Sequence, residues 1–381
     1  MTPLTVCLVS DSYVCRRPFG GIAIYTQTAA QALTARGHRV HVLVPVISES
    51  ADYLDGVVPV HYRRVDPLPL IGPAVPSLGE SWHLSRALRA LHREHHFDLV
   101  EFPNFEGFGF VAQRLGIVPS VVRLHTATAD SIATEGRTPT LPERVTIWAE
   151  RRSAQLALGV VTHSRAHRDR LAELYDLANI HLIPHGIRLP APRTREPARP
   201  AVLTLGRLRA RKGGATLLAA IPRVLARVPE AVWTVVGAGE DDPLVVEFRA
   251  ANPGLARDRV AFHRFLEGAE LDACYDAATV YASASVYESF GLTFVEAMAR
   301  GIPVVGCDTS AMPEVIEHER TGLLVPPAVP EPFAEAVARL LLDAGLRARL
   351  SVEARRVAAE KFTAERMAAD IEAWYREVLT R

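Results

Sequence analysis

The stretch Ser285–Val305 limits most strongly what this chain can fold into. A β-prone run, Val280–Ala284, leads into it, and Gly291 allows a tight turn in which backbone can approach a ligand closely. Leu292–Arg300 then reads as a helix, stopped by Gly301 and Pro303 before the apolar pair Val304-Val305. Strand, glycine turn, helix, stop and strand form the repeating grammar of a doubly wound parallel sheet. The amides of Gly291, Leu292 and Thr293 point out of the helix N-terminus, where they favour an anion such as phosphate. Glu288 falls in the turn before the helix, and Glu296 lies about two helical turns further on. Carboxylates repel phosphate but accept hydrogen bonds from sugar and ribose hydroxyls. Phosphate flanked by polyhydroxylated rings describes a nucleotide-sugar. Two glutamates at this spacing also suit an exposed helix start with a second glutamate on its solvent face. It is the intervening Ser-Phe290-Gly and the trailing Ala-Met-Ala-x-Gly-x-Pro-Val-Val that favour a site.

At 381 residues the chain exceeds what one core usually holds, so two domains are expected. Arg188–Pro200, rich in proline and arginine and poor in apolar residues, reads as the linker between them. The expected division is 1–187, linker 188–200, and 201–363, with a terminal helix over 364–381 packing back on the first domain. An apolar fraction of 49% with 23% charged residues describes an ordinary globular protein. The formal net charge is zero, which argues against a nucleic-acid binder. Cys7, Cys15, Cys274 and Cys307 lack metal-ligand spacing and read as free thiols of a reducing compartment. Asp11 interrupts the first apolar run, and no signal peptide or membrane span is evident, so a cytoplasmic protein is expected.

The first half opens with a βαβ unit: strand Leu4–Ser10, a loop through Arg16, Arg17, Pro18 and Phe19 to Gly20-Gly21, helix Ile22–Arg36, and strand Arg39–Val44. Nicotinamide binding is disfavoured here, because Gly20-Gly21 stands alone and the second strand ends in Val44-Pro45 without an acidic residue. A strand over Val57–Val65, a proline-rich loop over Pro67–Pro76 and a helix over Glu80–Glu94 follow. Strand Phe97–Phe102 carries Glu101, Asn104 and Glu106 at its carboxyl end, where polar groups of such sheets face the binding crevice; they are candidates for acceptor contacts. His125 sits at the carboxyl end of strand Ser120–Leu124. In helix Pro142–Leu158, Glu143 and Glu150 interrupt Arg144, Arg151 and Arg152, so a solvated face is favoured over peripheral membrane contact.

The second half restarts with strand Ala201–Leu205 and then Gly206-Arg207-x4-Lys212-Gly213. Cations bracketed by glycines after a strand can neutralise a diphosphate. Gly237, after strand Val232–Val236, belongs to half of a dinucleotide fingerprint and marks a tight turn. Arg264 and Phe265 follow strand Val260–Phe262. No Asp-x-Asp or His/carboxylate ligand set is evident at any predicted strand end, so no metal and no cofactor is expected.

The string from Ser285 to Val305 resembles the retaining glycosyltransferases of family 4, which have the GT-B fold. The similarity takes in Pro313-Glu-Val-Ile316, Thr321-Gly-Leu-Leu-Val325, Gly20-Gly21, His125 and the Gly206–Gly213 segment. It implies an α/β chain of two doubly wound Rossmann-like domains facing across a cleft, with the donor mainly on the second. It assigns Arg207 and Lys212 to the donor diphosphate, together with the amides after Gly291, and Gly20-Gly21 to the loop over donor phosphate and acceptor. Gly237 and Phe290 fall in the same donor-side set, and Arg264-Phe265 lie where relatives hold the nucleobase. Glu288 would position the sugar, Glu296 the ribose, and His125 would orient a donor hydroxyl. The implied reaction moves a hexose-type sugar with retention from a nucleoside diphosphate-sugar, uridine first and guanosine next, to an unidentified acceptor. Rivals are a nucleotide-sugar epimerase and a sugar-nucleotide-binding protein without turnover. A pyridoxal-dependent phosphorylase is disfavoured, because the only lysines are Lys212, suited to diphosphate, and Lys361, in a predicted helix.

Overall fold

The computed structural model describes residues 2–13, 20–66, 75–191 and 197–381. Cys15, the expected loop through Arg16, Arg17, Pro18 and Phe19, positions 67–74 of the proline-rich loop and positions 192–196 of the linker lie outside the described residues. The chain divides into two units: Met1–Arg188 with Ala364–Arg381, and Leu189–Thr363.

Among the described residues, the first unit is built on eight strands: β1 (Thr5–Val9), β2 (Arg39–Val46), β3 (Ala51–Asp55), β4 (Val58–Arg64), β5 (Leu99–Pro103), β6 (Ser120–Arg123), β7 (Gly159–Thr162) and β8 (His181–Leu182). Their order is β3-β4-β2-β1-β5-β6-β7-β8. The described residues of the second unit form six: β9 (Ala201–Leu205), β10 (Val232–Val236), β11 (Val260–His263), β12 (Val280–Ala282), β13 (Val304–Cys307) and β14 (Gly322–Val325), in the order β11-β10-β9-β12-β13-β14. Every pairing in the second sheet is parallel. Helices covering both faces of a parallel sheet require strands apolar on both sides, and β1, β5 and β13 are buried along their whole length. Each unit reverses its direction of strand addition beside its first strand. β1 lies between β2 and β5, and β9 between β10 and β12, which makes these the switch points where open α/β sheets bind ligands.

Two kinds of element escape the sequence pattern. β3 pairs antiparallel with β4 across the Gly56 turn, although its Asp52, Tyr53 and Leu54 are all exposed and show no alternation. Helix Arg165–Tyr175 buries only His167, Leu171 and Tyr175, one residue per turn, and its polarity hides it.

The terminal helix Ala364–Leu379 completes the first unit's core. Met367, Ile371, Trp374 and Val378 pack with Val6, Leu8, Tyr25 and Leu33. Its polar anchor is Glu372, which accepts from Arg36 Nη2 at 2.7 Å and from Arg376 Nη2 at 2.9 Å. Against the cost of its burial, hydrogen bonds from Arg36 and Arg376, with His38 Nε2 3.4 Å away, hold the Glu372 carboxyl at about 2. A carboxylate depressed on folding stabilises above its unfolded value, about 4.3, and that contribution is lost as pH falls towards the folded value. The difference in Tm between the parent and Glu372→Gln should therefore be full at neutral pH and shrink between about pH 4.3 and 2. A difference independent of pH in that window would remove the carboxylate anchor.

Candidate functional site

In a parallel sheet, loops leaving the carboxyl ends of neighbouring strands are themselves neighbours. β11, β10, β9 and β12 therefore deliver Arg264-Phe265, Gly237, Gly206-Arg207 and Ser283–Glu288 side by side along one edge. Backbone bonds lock the turns together: Gly206 N donates to Val236 O at 2.8 Å, and Gly237 N to His263 O at 2.8 Å. Arg207 is exposed. Arg264 is exposed and ion-paired with Asp241, and the Phe265 ring beside it is 37% exposed.

Lys212 ends a short 3-10 turn, Ala210–Lys212. That turn is fastened to the loop after β12, because Val286 N and Tyr287 N both donate to Arg211 O, at 3.0 and 3.3 Å. Gly213 follows at φ +65°, where any Cβ would fall on the Ala284 carbonyl. Only glycine permits this approach, and the approach sets Lys212 Nζ 2.5 Å from Glu288 Oε1. The Glu288 main-chain carbonyl accepts from Ser310 Oγ at 2.7 Å and from Ala311 N at 3.2 Å, so the residue is held at both ends. Burial opposes ionisation of Glu288, but the Lys212 ammonium, with Arg211 and Ser285 beside it, outweighs burial and holds the carboxyl below its usual range.

Gly291 begins helix Leu292–Ala299 at φ +97°. Among the described residues, no hydrogen bond is found from the amides of Gly291, Leu292 and Thr293, as expected for orphan donors of a helix start. The Thr293 hydroxyl accepts from Tyr281 OH at 2.7 Å. Glu296, half-buried on the same helix, accepts from Tyr275 OH at 2.6 Å. Burial raises its carboxyl, with Tyr275 and Arg300 partly offsetting the shift. Phe290 is a correction. Expected on the donor side, it is 4% exposed and packs edge-on against Phe362, so its ring belongs to the core. A largely apolar groove of about 400 Å³, lined by Ala201, Val202, Val232 and Cys274, opens at the other end of these strands, away from the charged edge.

In the first unit, Gly20 caps helix Gly21–Ala35, and among the described residues a Cβ at Gly20 or Gly21 would meet open space. His125 is 8% exposed, and its amide donates to Asn104 Oδ1 at 2.7 Å. Asn104 donates in turn to Tyr175 OH at 3.2 Å, and Tyr175 to Glu150 Oε2 at 2.7 Å. Burial pushes Glu150 up to about 7. His125 is held well below the usual histidine value by burial, then by Arg123 and His167, so its ring is neutral at physiological pH.

Two expected acceptor contacts become structural. Glu101, 3% exposed, accepts from Tyr25 OH at 2.6 Å, Arg123 Nε at 3.0 Å and Tyr375 OH at 2.9 Å. Asn104 is fully buried and holds the His125 backbone. Glu106 stays half-buried, accepting from Thr146 Oγ1 at 3.1 Å, with its carboxyl raised by burial.

The ground for expecting no metal is also corrected. His125, His163 and His185, leaving β6, β7 and β8, bring one ring nitrogen each within 4.8 Å of one another. His163 and His185 follow parallel strands as His125 does, and that same positional rule applied to every strand finds them.

Residues 19–189 match the family described as Glycosyltransferase Family 4, and residues 199–343 the one described as Glycosyl transferases group 1. A D-inositol 3-phosphate glycosyltransferase of Xylanimonas cellulosilytica is 30% identical over 367 residues, 88% of this chain and 87% of that protein. An uncharacterized glycosyltransferase of Methanocaldococcus jannaschii is 35% identical over 167 residues, covering 44% of this chain and 42% of that one. The solved sucrose-phosphate synthase from Thermosynechococcus elongatus matches with a TM-score of 0.81 at 24% identity, over 99% of both chains. This likeness gives the GT-B fold.

Removing the cation from Glu288 leaves a buried carboxylate. Lys212→Met should lower stability by about 1–3 kcal/mol at neutral pH, and Glu288→Gln in the same chain should recover most of it. Additive losses in thermal melts of the two single variants and the double variant would sever the pair.

Proposed function

The chain belongs to glycosyltransferase family 4, and from that premise we propose that it moves a hexose-type sugar, with retention, from a nucleoside diphosphate-sugar to a hydroxyl of an acceptor. The observation that carries this reading is the Lys212–Glu288 pair beside the uncapped helix amides at the β9/β12 switch point. An ammonium has three N–H donors, and Lys212 gives one to Glu288, leaving two for a diphosphate. Glu288, ionised by that contact, retains lone pairs for sugar hydroxyls. One pair thus serves both parts of the donor.

The chemical difficulty is departure of a diphosphate while positive charge develops on the sugar. Arg207, Lys212 and the amides of Gly291, Leu292 and Thr293 would stabilise the leaving group as fixed, pre-oriented charge. The acceptor hydroxyl would attack from the face the diphosphate leaves, giving up its proton to the departing phosphate oxygen. Neutral His125 would hydrogen-bond a donor hydroxyl, and Glu296 the ribose. Phe265 offers an exposed ring beside the place expected for the base, uridine first and guanosine next. Inositol derivatives head the acceptor panel, because the relative matched along 88% of the chain is named for D-inositol 3-phosphate.

The two glutamates separate transfer from nucleotide binding. Glu296→Gln should weaken the bare nucleoside diphosphate, which keeps its ribose, by ~1.5–3 kcal/mol in calorimetry. Glu288→Gln should bind that nucleotide close to normally and lose transfer, because its sugar partner is absent from the ligand. If both variants bind and transfer like the parent, the site lies elsewhere. An epimerase would form product without acceptor, and a binding protein would bind donor without turnover across the panel.

Leaving-group stabilisation by protein cations needs no divalent ion. Turnover should survive exhaustive chelation. Loss with EDTA and recovery with magnesium or manganese would show that the diphosphate departs through a metal.

A further inference from the structure

His41, His61 and His95 are scattered in sequence, and the fold of the first unit brings them to one point. His41 lies on β2 and His61 on the adjacent β4, where the register sets His61 opposite Leu43, one alternation along from His41. His95 ends helix Pro76–His95. The His41 ring centroid stands 4.3 Å from that of His95 and 5.4 Å from that of His61. One ring nitrogen of each residue lies within 4.8 Å of the others. The side chain of Phe97, 5.4 Å from His41 between ring centroids, supplies an apolar neighbour, while His95 is half-buried with its Nε2 3.7 Å from Glu94 Oε1.

The hydrogen bonds set the tautomers. His61 Nδ1 sits 2.7 Å from Asp52 Oδ1, directly across the β3–β4 pair. A carboxylate only accepts, so Nδ1 carries the proton and the lone pair of His61 is on Nε2. That nitrogen faces His41 Nδ1 at 3.0 Å. Tetrahedral zinc with nitrogen ligands at ~2.0–2.1 Å spaces them by roughly 3.3 Å, so this pair already stands near ligand separation. A carboxylate fixing the far nitrogen of a histidine is the usual support behind a metal ligand. Arg63 Nη1 donates to the same Asp52 oxygen at 2.7 Å, which anchors the carboxylate.

We propose that His41, His61 and His95 bind one divalent transition ion of the zinc class, with Asp52 behind His61 and the fourth position open to water. The ion clamps the β2–β4 edge and its hairpin to the end of the Pro76–His95 helix. On binding, His41 shifts its proton from Nδ1 to Nε2, freeing the Nδ1 lone pair without net proton release. None of the four residues belongs to the proposed transfer machinery, so the site acts on stability and stands independently of the chemistry above.

The test uses the whole chain, stripped with chelator and titrated with zinc against a chromophoric competitor, then with cobalt. One ion per chain, a raised Tm and the strong visible absorption of four-coordinate cobalt are expected. His41→Gln and His95→Gln should each abolish the cobalt band, and Asp52→Asn should weaken zinc by about tenfold or more. His95 is half-buried at a helix end, so its variant keeps the test valid if the His41 variant does not fold. His96→Gln should bind like the parent. No binding in the parent would overturn the proposal. So would loss in His96→Gln with retention in His41→Gln, which moves the ion to the neighbouring pair His92/His96. Loss on His163→Gln with retention in His41→Gln would place it in the buried His125 cluster and would also overturn the proposal.

Discussion

Lys212 and Glu288 meet because two loops from adjacent strands of a parallel sheet are hydrogen-bonded through the Arg211 carbonyl. The candidate donor site depends on that contact. It requires a glycine at 213, since no side chain fits against Ala284, and it requires the β9/β12 adjacency created where strand addition reverses. With the lysine in place, a buried carboxylate stays ionised beside a set of backbone amides that would otherwise have attracted only anions. One edge thereby presents donors for phosphate and acceptors for hydroxyls within a few residues of each other.

The first unit holds its own buried ion pair, of a different kind. Arg123 is fully enclosed, lies 4.4 Å over the Tyr25 ring, and meets Glu101, which also takes hydroxyls from the first helix and the terminal helix. Desolvation offsets the attraction within a charge pair enclosed on all sides, and removing either partner would strand the other as a buried charge. Lys212, a quarter exposed, keeps its remaining donors available. The contrast separates a pair sealed inside the scaffold from one whose cation reaches solvent.

Much of this was legible in the sequence. Strands β9 and β10 and the terminal helix fall where glycine, proline and apolar runs place them, because burial on both faces leaves no room for another pattern. The Gly291 turn and the positions of Glu288 before the helix and Glu296 on it were legible because helix geometry converts spacing into position. What escaped depends on partners distant in the chain. β3 is a strand only because β4 lies beside it, and Glu101 looked like a binding residue until Arg123, Tyr25 and Tyr375 closed on it. Phe290 was misplaced because spacing does not reveal that Phe362 waits on the other side. The histidines at 163 and 185 were within reach of a rule that, among the histidines, was applied only to His125.

The terminal helix belongs to the first unit, so the whole of the second unit is an insertion between β8 and that helix. On a translating ribosome, domains ordinarily mature from the N-terminus onward. Here the earliest residues made must wait. Until Trp374 and Val378 emerge, the face of the first helix that carries Tyr25 and Leu33 has no cover, while the second unit can already be complete. The core of the first unit can therefore close only after the whole of the second unit has been synthesised.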